Sequence, residues 1–411
     1  MTDIIVMQRK VVRTLVFAQV LGGIGLGATV SVGALLAANV SGSPAWSGMA
    51  ATMSTLGAAL LAVPLARAAQ ARGRRIALSV GSILGALGAL LAVTAAALGA
   101  FPLLLVALAL AGASSASNLQ ARFAATDLAD PRRRARQLSI VVWSTTLGSV
   151  LGPNLIGPGE AIGGAIGLPT LTGPFVFTVS AQLLAMLVYF TGLRPDPLLT
   201  AMRLAPPAAG IRPRKGFASL RVSAAARYAV VAVALSHATM VAMMSMTPVH
   251  LYEHGATLEI VGFTLSLHIA GMYGLSPVFG WAADRWGRIP VILVGQALLL
   301  GSLVIAWTKS DSDVWVAVSL ILLGLGWSAS TIAGSTLVAE SVPVDDRAGL
   351  QGVSDLLMNA TAAVGGALAG PVLALFGYSG LGVTCMALVA IVVGWTLVRT
   401  RALRTAVALV E

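Results

Sequence analysis

The sequence predicts an all-α integral membrane protein with twelve transmembrane helices in two six-helix bundles. Hydrophobic residues make up 57% of the chain and charged residues only 10%, a composition that excludes a soluble globular protein. Apolar runs of about 20 residues recur along the chain, and each run is long enough to cross a bilayer. The runs lack the alternating pattern of a membrane barrel, so they must form helices, which satisfy their own backbone groups in lipid.

Each predicted span corresponds to one apolar run. The first run is too long to be the apolar region of a cleaved signal peptide, so we expect it to be retained as the first helix. The predicted spans cover about residues 14–38, 47–67, 76–98, 102–125, 138–157, 174–193, 228–251, 258–281, 289–307, 313–338, 349–373 and 378–398.

A long polar segment separates the sixth predicted span from the seventh. It covers about residues 194–227 and contains five prolines and most of the central positive charge. We therefore interpret residues 1–193 as an N-terminal six-helix bundle, residues 194–227 as a cytoplasmic linker, and residues 228–411 as a C-terminal six-helix bundle.

The positive charges are distributed by membrane side. Of the 26 lysine and arginine residues, only Lys309 falls in a segment predicted to lie outside. This asymmetry predicts that both termini are cytoplasmic in a bacterial-type inner membrane. It accounts for the net charge of +11 with the lipid bilayer as partner and without nucleic acid. Because Cys385 is the one cysteine, an intrachain disulfide and a cysteine-based zinc or iron–sulfur site are excluded.

The two halves of the chain are related by sequence. Asp127 and Glu340 each stand seven residues before an arginine, Arg134 or Arg347. The same offset of 213 residues also aligns glycines and a proline further along the two halves. We therefore predict a duplicated six-helix unit. Parallel repeats of this kind place a substrate site near the middle of the membrane, between the halves.

A candidate gate motif stands between the eighth and ninth predicted spans. It reads Gly280-Trp-Ala-Ala-Asp284-Arg285-Trp-Gly287-Arg288, and it resembles the signature loop of the major facilitator superfamily. The resemblance implies the transporter fold of that family. It also implies that Asp284 accepts hydrogen bonds from arginines and from a helix N-terminus, and so latches the inner gate in one state.

The copy of this motif in the first half is degenerate. Gln70 stands where the acid belongs, before Gly73-Arg74-Arg75. The role of a latch in this half is therefore open, and Arg74 and Arg75 are interpreted as positive-inside anchors.

The fifth predicted span carries Gly148, Gly152, Pro153 and Gly157. This run is similar to the antiporter motif of proton-coupled drug exporters, from which it departs at Ile156. Glycines at such spacing also let helices pack closely in any membrane protein. We interpret the four residues mainly as helix-packing positions.

Methionine and histidine residues occur at four-residue spacing in the seventh and eighth predicted spans. Met240 and Met244 share one helix face, as do His268 and Met272, and His237 lies on the face of the first pair. Met240 and His268 each lie about 15 Å from the outer ends of their spans. Thioether and imidazole groups suit Cu(I). The alternative is that methionines fill gaps in apolar packing and that the histidine bonds a neighbour.

The two spacings resemble the paired motifs of the CcoA-type copper importers. The resemblance implies that Met240, Met244, His268 and Met272 bind copper, which would be the imported cargo rather than a cofactor. The chain departs from that family in having Cys385 alone, since its members can carry several functionally relevant cysteines. The same branch contains relatives that move flavins, so the cargo stays open.

One acid lies clearly inside a predicted span. Asp355 is about 10 Å into the eleventh span, and Asn359 shares its helix face. Ionisable groups in a membrane are functional candidates, so this pair is a candidate for proton coupling. The alternative is a structural partner for an arginine such as Arg122. Other polar side chains within the spans are those of Gln19, Asn118, Gln120, Gln182 and Gln296.

The sequence thus predicts a monomeric, non-enzymatic secondary transporter that works by alternating access and imports copper into the cytoplasm. One alternative is a proton-coupled multidrug exporter, which the fifth span favours. Another is an importer of an organic nutrient such as riboflavin. A membrane enzyme or scaffold is disfavoured, because no large soluble domain is present and the motif around Asp284 is intact.

Overall fold

The structure is a computed structural model of the chain, and it describes residues 2–43, 46, 49–151, 155–204, 216–256 and 258–408. Nearly all of these residues are helical, and none of them lies in a β-strand. The predicted all-α fold is confirmed.

The described residues form helices α1 to α15. A short 3-10 turn, Pro131–Arg133, precedes α5. The helices are α1 (Thr2–Ser41), α2 (Met49–Arg72), α3 (Arg74–Ala97), α4 (Phe101–Ala124), α5 (Arg134–Leu151), α6 (Ile156–Ala165), α7 (Pro174–Gly192), α8 (Pro197–Leu204), α9 (Gly216–Val222), α10 (Ala224–Glu253), α11 (Leu258–Tyr273), α12 (Ser276–Trp286), α13 (Arg288–Thr308), α14 (Asp313–Glu340) and α15 (Val344–Ala408).

Eight helical segments among the described residues are long and apolar enough to cross a membrane. They lie on α2, α3, α4, α7 with α8, α10, α13, α14 and α15. The last of these covers both the eleventh and the twelfth predicted spans, with a break at Gly377. The first, fifth and eighth predicted spans lie on α1, on α5 with α6, and on α11 with α12. Every predicted span therefore overlaps a helix, which fits the predicted number.

The eighth predicted span is interrupted for a local chemical reason. Pro277 stands in the first turn of α12, where its missing N–H costs no helical hydrogen bond. The Ser276 hydroxyl donates to the Tyr273 carbonyl at 2.6 Å and so supports the turn between the two helices. The turn fixes the end of α11, which carries the candidate residues His268 and Met272.

The chain divides into two compact units. The first unit contains residues 1–129, 144–213 and 351–356, and the second contains 130–143, 214–350 and 357–411. Each unit therefore includes a short segment from the opposite half of the chain. Residues 205–215 of the predicted linker lie outside the described part, and the predicted domain boundaries stay a prediction.

Close helix packing in the first unit depends on small residues. A side chain on Gly57 of α2 would collide with the backbone of Ala109 on α4, and one on Gly112 would collide with the backbone of α2. Such residues let helices approach where lipid offers no hydrophobic driving force. A buried apolar cluster that includes Leu36, Leu104 and Phe175 completes the packing.

In the second unit, α14 packs against α11 and α13 through glycines. Gly324 of α14 touches Gly271 of α11, and Gly326 touches Gly295 of α13. A large buried cluster surrounds this packing and includes Met243, Leu299, Leu320, Leu323, Trp327 and Tyr378. The close approach of α11 and α14 places His268 and Met272 of α11 beside α14.

Candidate substrate site

The predicted methionine ligands lie in the apolar core of the second unit. Met240 of α10 and Met272 of α11 belong to the same buried cluster, and Met244 packs against that cluster. Their arrangement as a ligand set stays a prediction. The side chains are surrounded by aliphatic residues, as the alternative of gap-filling methionines also requires.

His268 is anchored on α14. Its side chain is fully buried, and Nδ1 lies 2.8 Å from the Leu320 carbonyl oxygen. Because a carbonyl accepts, Nδ1 carries the proton and Nε2 keeps its lone pair. Within the described part of the chain, Nε2 has no hydrogen-bond partner. This nitrogen is one atom in the unit that is able to bind a further group.

His237 forms part of an aromatic group that contains His237, Tyr273 and Trp327. The Trp327 indole Nε1 donates to His237 Nδ1 at 2.8 Å, and the two ring centroids are 5.9 Å apart. The Tyr273 ring meets the Trp327 ring edge-on, with centroids 5.8 Å apart. Nδ1 accepts a hydrogen bond from the indole N–H, so it carries no proton. His237 is therefore neutral, with its proton on Nε2.

Sequence reasoning missed Trp327 and Tyr273. The position of Trp327 in the middle of an apolar span could have indicated a polar contact, because a buried indole N–H needs a hydrogen-bond partner. Which partner it finds depends on how α10 and α14 are rotated, and periodicity does not encode that.

A conventional metal cluster is absent from the described residues. No group of three or more histidine, cysteine, aspartate or glutamate side chains there is placed to hold a metal ion. A metal in this part of the second unit would depend on thioethers and the single His268 nitrogen.

The gate motif forms an ion-pair network in the second unit. The Asp284 carboxylate accepts from the backbone N–H groups of Ala135 and Arg136 at 3.0 and 2.9 Å, at the start of α5. Arg288 lies 2.9 Å from Asp284 and 2.8 Å from Glu340. Burial raises the pKa of Asp284, while the Arg136 N–H and the Arg288 charge act in the opposite direction.

The other predicted gate residues have different surroundings. The Arg285 guanidinium lies over the Trp281 ring, 5.8 Å from its centroid. Gly287 has φ 95°, a conformation that glycine adopts without steric cost. Gly280 lies against α5, where a side chain would collide with Ser139.

The equivalent turn in the first unit is also an ion-pair site. Arg74 is fully buried and pairs with Asp127 at 2.8 Å, and it also donates to Gln351. The interpretation of Arg74 as a headgroup anchor is therefore wrong, because its guanidinium is enclosed by protein. The backbone N–H of Arg75 donates to Asp196 at 2.7 Å.

Asp355 pairs with an arginine in the first unit. Arg122 Nη2 lies 2.6 Å from Asp355 Oδ1, and both side chains are buried. This ion pair is the structural role that the sequence analysis gives as the alternative to proton coupling. Asn359 is also buried, one turn further along α15, and proton coupling by the two residues stays a prediction.

The glycines of the fifth span differ in their surroundings. Gly148 lies against the backbone of Gly23 on α1. At Gly157, a Cβ would meet no described atom within 4 Å. Gly152 and Pro153 lie outside the described residues.

The comparisons with known proteins agree with this fold. The family model described as Major Facilitator Superfamily matches residues 15–253 and 229–409. The uncharacterised MFS-type transporters YddS and YdeG of Bacillus subtilis are 38% and 39% identical to the chain. Each alignment covers 92% of this chain, and the two alignments cover 87% of YddS and 89% of YdeG. The riboflavin transporter RfnT of Brucella anthropi is 28% identical over 91% of each chain.

Solved structures show the same fold. The human organic anion transporter MFSD10 superimposes with a TM-score of 0.73 at 15% identity, over 94% of this chain and 98% of its own. The proton:xylose symporter XylE gives 0.74 at 11% identity, over 95% of each chain. At such identities the likeness concerns the fold alone.

Proposed function

The chain belongs to the major facilitator superfamily, and from this premise we propose that it is a monomeric secondary transporter of a planar aromatic solute of the flavin class. Uptake into the cytoplasm by alternating access is the proposed direction and mode. Both termini are proposed to be cytoplasmic, in keeping with the distribution of arginine and lysine. The reaction is a movement of solute and requires no covalent step.

The aromatic group of the second unit carries this proposal. His237 and Tyr273 are partly exposed, whereas Trp327 is buried and holds both rings. Two partly exposed rings supported by a third offer a flat apolar surface. A planar heteroaromatic solute gains from stacking on such rings beyond the burial of its area.

The charge of the group supports an uncharged ring system. His237 is neutral in the arrangement in which Nδ1 accepts the hydrogen bond from Trp327. A flavin likewise presents an uncharged, flat ring system. The similarity to RfnT over 91% of both chains also favours this class of solute.

Copper import is a second candidate, favoured by one specific observation. His268 Nε2 has no partner among the described residues, and Met240 and Met272 lie in one buried cluster with Met244 against it. Against copper, the described residues contain no group of three or more side chains of the usual metal-binding types. The relatives reported above also carry no copper in their names.

Uptake of radiolabelled riboflavin by cells that lack their own transporter tests the proposal. We expect uptake above an empty vector, reduced roughly tenfold in Tyr273→Ala and in His237→Ala because stacking contacts are lost. Trp307→Ala, which removes an exposed aromatic ring from α13, is the matched control and should transport normally.

The same cells separate flavin from copper. Met240→Leu/Met272→Leu conserves volume but removes both thioethers. Riboflavin uptake that persists in this variant supports the flavin proposal. Uptake of radioactive copper that disappears in this variant, together with riboflavin uptake no higher than the vector, would overturn it in favour of copper.

A further inference from the structure

We infer that the second unit binds one anionic phospholipid, with Arg227 holding the phosphate and Trp395 packing against the glycerol and the upper acyl chains. The site is a cavity of about 610 Å³ that is lined by Arg227, Gly394, Trp395 and Val398. It is called the interfacial groove below. Its residues lie on α10 and α15, both within the second unit. The ligand is a lipid rather than the transported solute, so the inference does not depend on the proposed function.

The interfacial groove lies where two apolar segments end. Arg227 stands in the first turn of the segment Ala224–Leu251, and Val398 is the last residue of the segment Val344–Val398. At the ends of such segments the acyl region of a bilayer gives way to the headgroups. The distribution of lysine and arginine assigns this end to the side proposed to be cytoplasmic. The groove is therefore at the depth of a lipid headgroup.

The guanidinium of Arg227 is held by the end of α9. Nη1 donates to the carbonyl oxygens of Leu220 and Arg221 at 2.8 and 2.9 Å. Carbonyls in the last turn of a helix lack helical partners, and these two bonds use both Nη1 protons. The edge formed by Nε and Nη2 takes no part in them. Such an edge presents two parallel N–H groups, which is the geometry that binds a phosphate.

The charge around the interfacial groove favours an anion. None of the ion pairs among the described residues includes Arg227. Residues 197–252 and 356–410 contain no aspartate or glutamate, whereas arginines recur in both stretches. A basic pocket between helices on the cytoplasmic side is suited to an anionic headgroup. A zwitterionic headgroup would bring an ammonium group into the same positive field.

The Trp395 ring has a fixed position beside this arginine. It meets the Tyr228 ring edge-on, with centroids 6.3 Å apart. The Tyr228 hydroxyl in turn lies 2.8 Å from Thr396 Oγ1. Trp395 is partly exposed, as expected for a tryptophan whose apolar face meets acyl chains and whose N–H meets the headgroup region.

The remaining wall of the interfacial groove is open and apolar. A Cβ on Gly394 would meet no described atom within 4 Å. Val398 is 85% exposed, and Leu397 beside it is also exposed. On the other side, the exposed Val222 directly follows the carbonyls that hold Arg227. A free phosphate ion would leave these apolar surfaces uncovered, whereas the acyl chains of a phospholipid would cover them.

Native mass spectrometry of the purified full-length protein in neutral detergent tests the inference. Phosphatidylglycerol and phosphatidylcholine with identical acyl chains are titrated separately, and the dissociation constant of the first bound lipid is compared. We expect phosphatidylglycerol to bind about tenfold more tightly, because it carries a net negative charge and phosphatidylcholine does not.

Two groove variants should weaken the binding of phosphatidylglycerol about tenfold. Arg227→Gln removes the charge and the bidentate donor edge. Gly394→Leu fills the groove and leaves every charge in place. Since leucine has a higher helix propensity than glycine, this second variant keeps the test valid if Arg227→Gln fails to fold.

Each groove variant has a matched control. Arg203→Gln removes the same charge from an exposed position on α8, outside the interfacial groove. Gly370→Leu makes the same change elsewhere on α15, at another glycine whose Cβ would meet no described atom within 4 Å. Both controls should keep the tenfold preference.

Three results would overturn the inference. One is equal affinity of the unaltered protein for the two lipids. Another is a preference that survives both groove variants, because it would then reflect general attraction to the basic surface. The third is displacement of phosphatidylglycerol by millimolar inorganic phosphate, which would indicate a site for a free anion. Riboflavin takes no part in these measurements, so none of these results affects the proposed function.

Discussion

The turn before α3 and the turn before α13 have nearly the same backbone but different charge balance. Gly73 has φ 88° and ψ 167°, and Gly287 has φ 95° and ψ 162°. The following arginine pairs with an acid at 2.8 Å in each unit, Asp127 for Arg74 and Glu340 for Arg288. The sequence repeat is therefore also a repeat of structure.

The difference lies in the second partner of the arginine. Arg288 has two acids, since Asp284 lies 2.9 Å away, and its side chain is 11% exposed. Arg74 has a neutral second partner, Gln351, and is fully buried. The turn before α13 therefore contains an arginine that pairs with two acids. The turn before α3 contains a fully buried arginine that pairs with one acid. A buried pair depends strongly on each member, because removal of one leaves an uncompensated charge.

Asp127→Asn should have the largest effect on this comparison. It removes the acid that is ion-paired with the buried Arg74, and we expect a loss of about 3–5 kcal/mol in the free energy of unfolding. Glu340→Gln should cost only about 1 kcal/mol, because Arg288 keeps Asp284 and some contact with solvent. Equilibrium unfolding in mixed micelles measures both values. Equal losses in the two variants would contradict the proposed difference between the turns.

The second prediction concerns the helix contacts beside the turns. A Cβ on Gly352 would meet mainly the Ala66 side chain, with the Ala62 carbonyl oxygen at 3.2 Å, whereas one on Gly280 would meet Ser139 and, at 2.7 Å, the Ala135 carbonyl oxygen. Gly352→Ala should destabilise the protein by about 1–3 kcal/mol, and Ala66→Gly should restore part of the loss because the obstacle is a side chain. Gly280→Ala should respond less to Ser139→Gly, since a backbone oxygen remains in place. Double-mutant cycles of unfolding free energy measure the rescue, and equal rescue at both sites would oppose this account.

The third prediction converts one turn into the other. Gln70 lies four residues before Arg74, as Asp284 lies four before Arg288. Gln70→Asp should therefore supply a second acid and reduce the cost of Asp127→Asn by about 1–2 kcal/mol. Gln70→Glu, with a longer side chain, tests the geometry in the same unfolding measurement. No recovery with either acid would show that position 70 does not reach Arg74.

The smallest expected effect concerns Asp196, which acts only on backbone groups. It accepts from the N–H of Arg75 at 2.7 Å, and from those of Leu198 and Leu199 at 3.0 and 3.1 Å. Asp196→Ala should cost about 1 kcal/mol, as expected for loss of a helix cap, and Asp196→Asn less. Faster hydrogen exchange at the start of α3 and α8 would accompany the loss. Unchanged exchange there would argue against the capping role.

Sequence patterns predicted the gate network better than the substrate site. The position of Asp284 at a helix N-terminus beside Arg288 agrees with the role implied by its motif, because that motif is local and its spacing is short. Four-residue spacing predicted that Met240 shares a helix face with Met244 and His268 with Met272, whereas tertiary packing placed Met240 and Met272 in one buried cluster. That spacing did not reveal that His237 bonds Trp327, because this contact joins residues 90 positions apart in sequence.

The sequence by itself determined the all-α membrane fold, the repeat, the gate motif and the superfamily. These follow from hydropathy, charge and short spacings, which are local properties of the chain. Only the tertiary structure decided that Arg122 meets Asp355, that Trp327 meets His237, and that Arg227 and Trp395 line one groove. The physical reason is that such contacts depend on the rotation and close approach of distant helices, which small residues permit but no local pattern specifies.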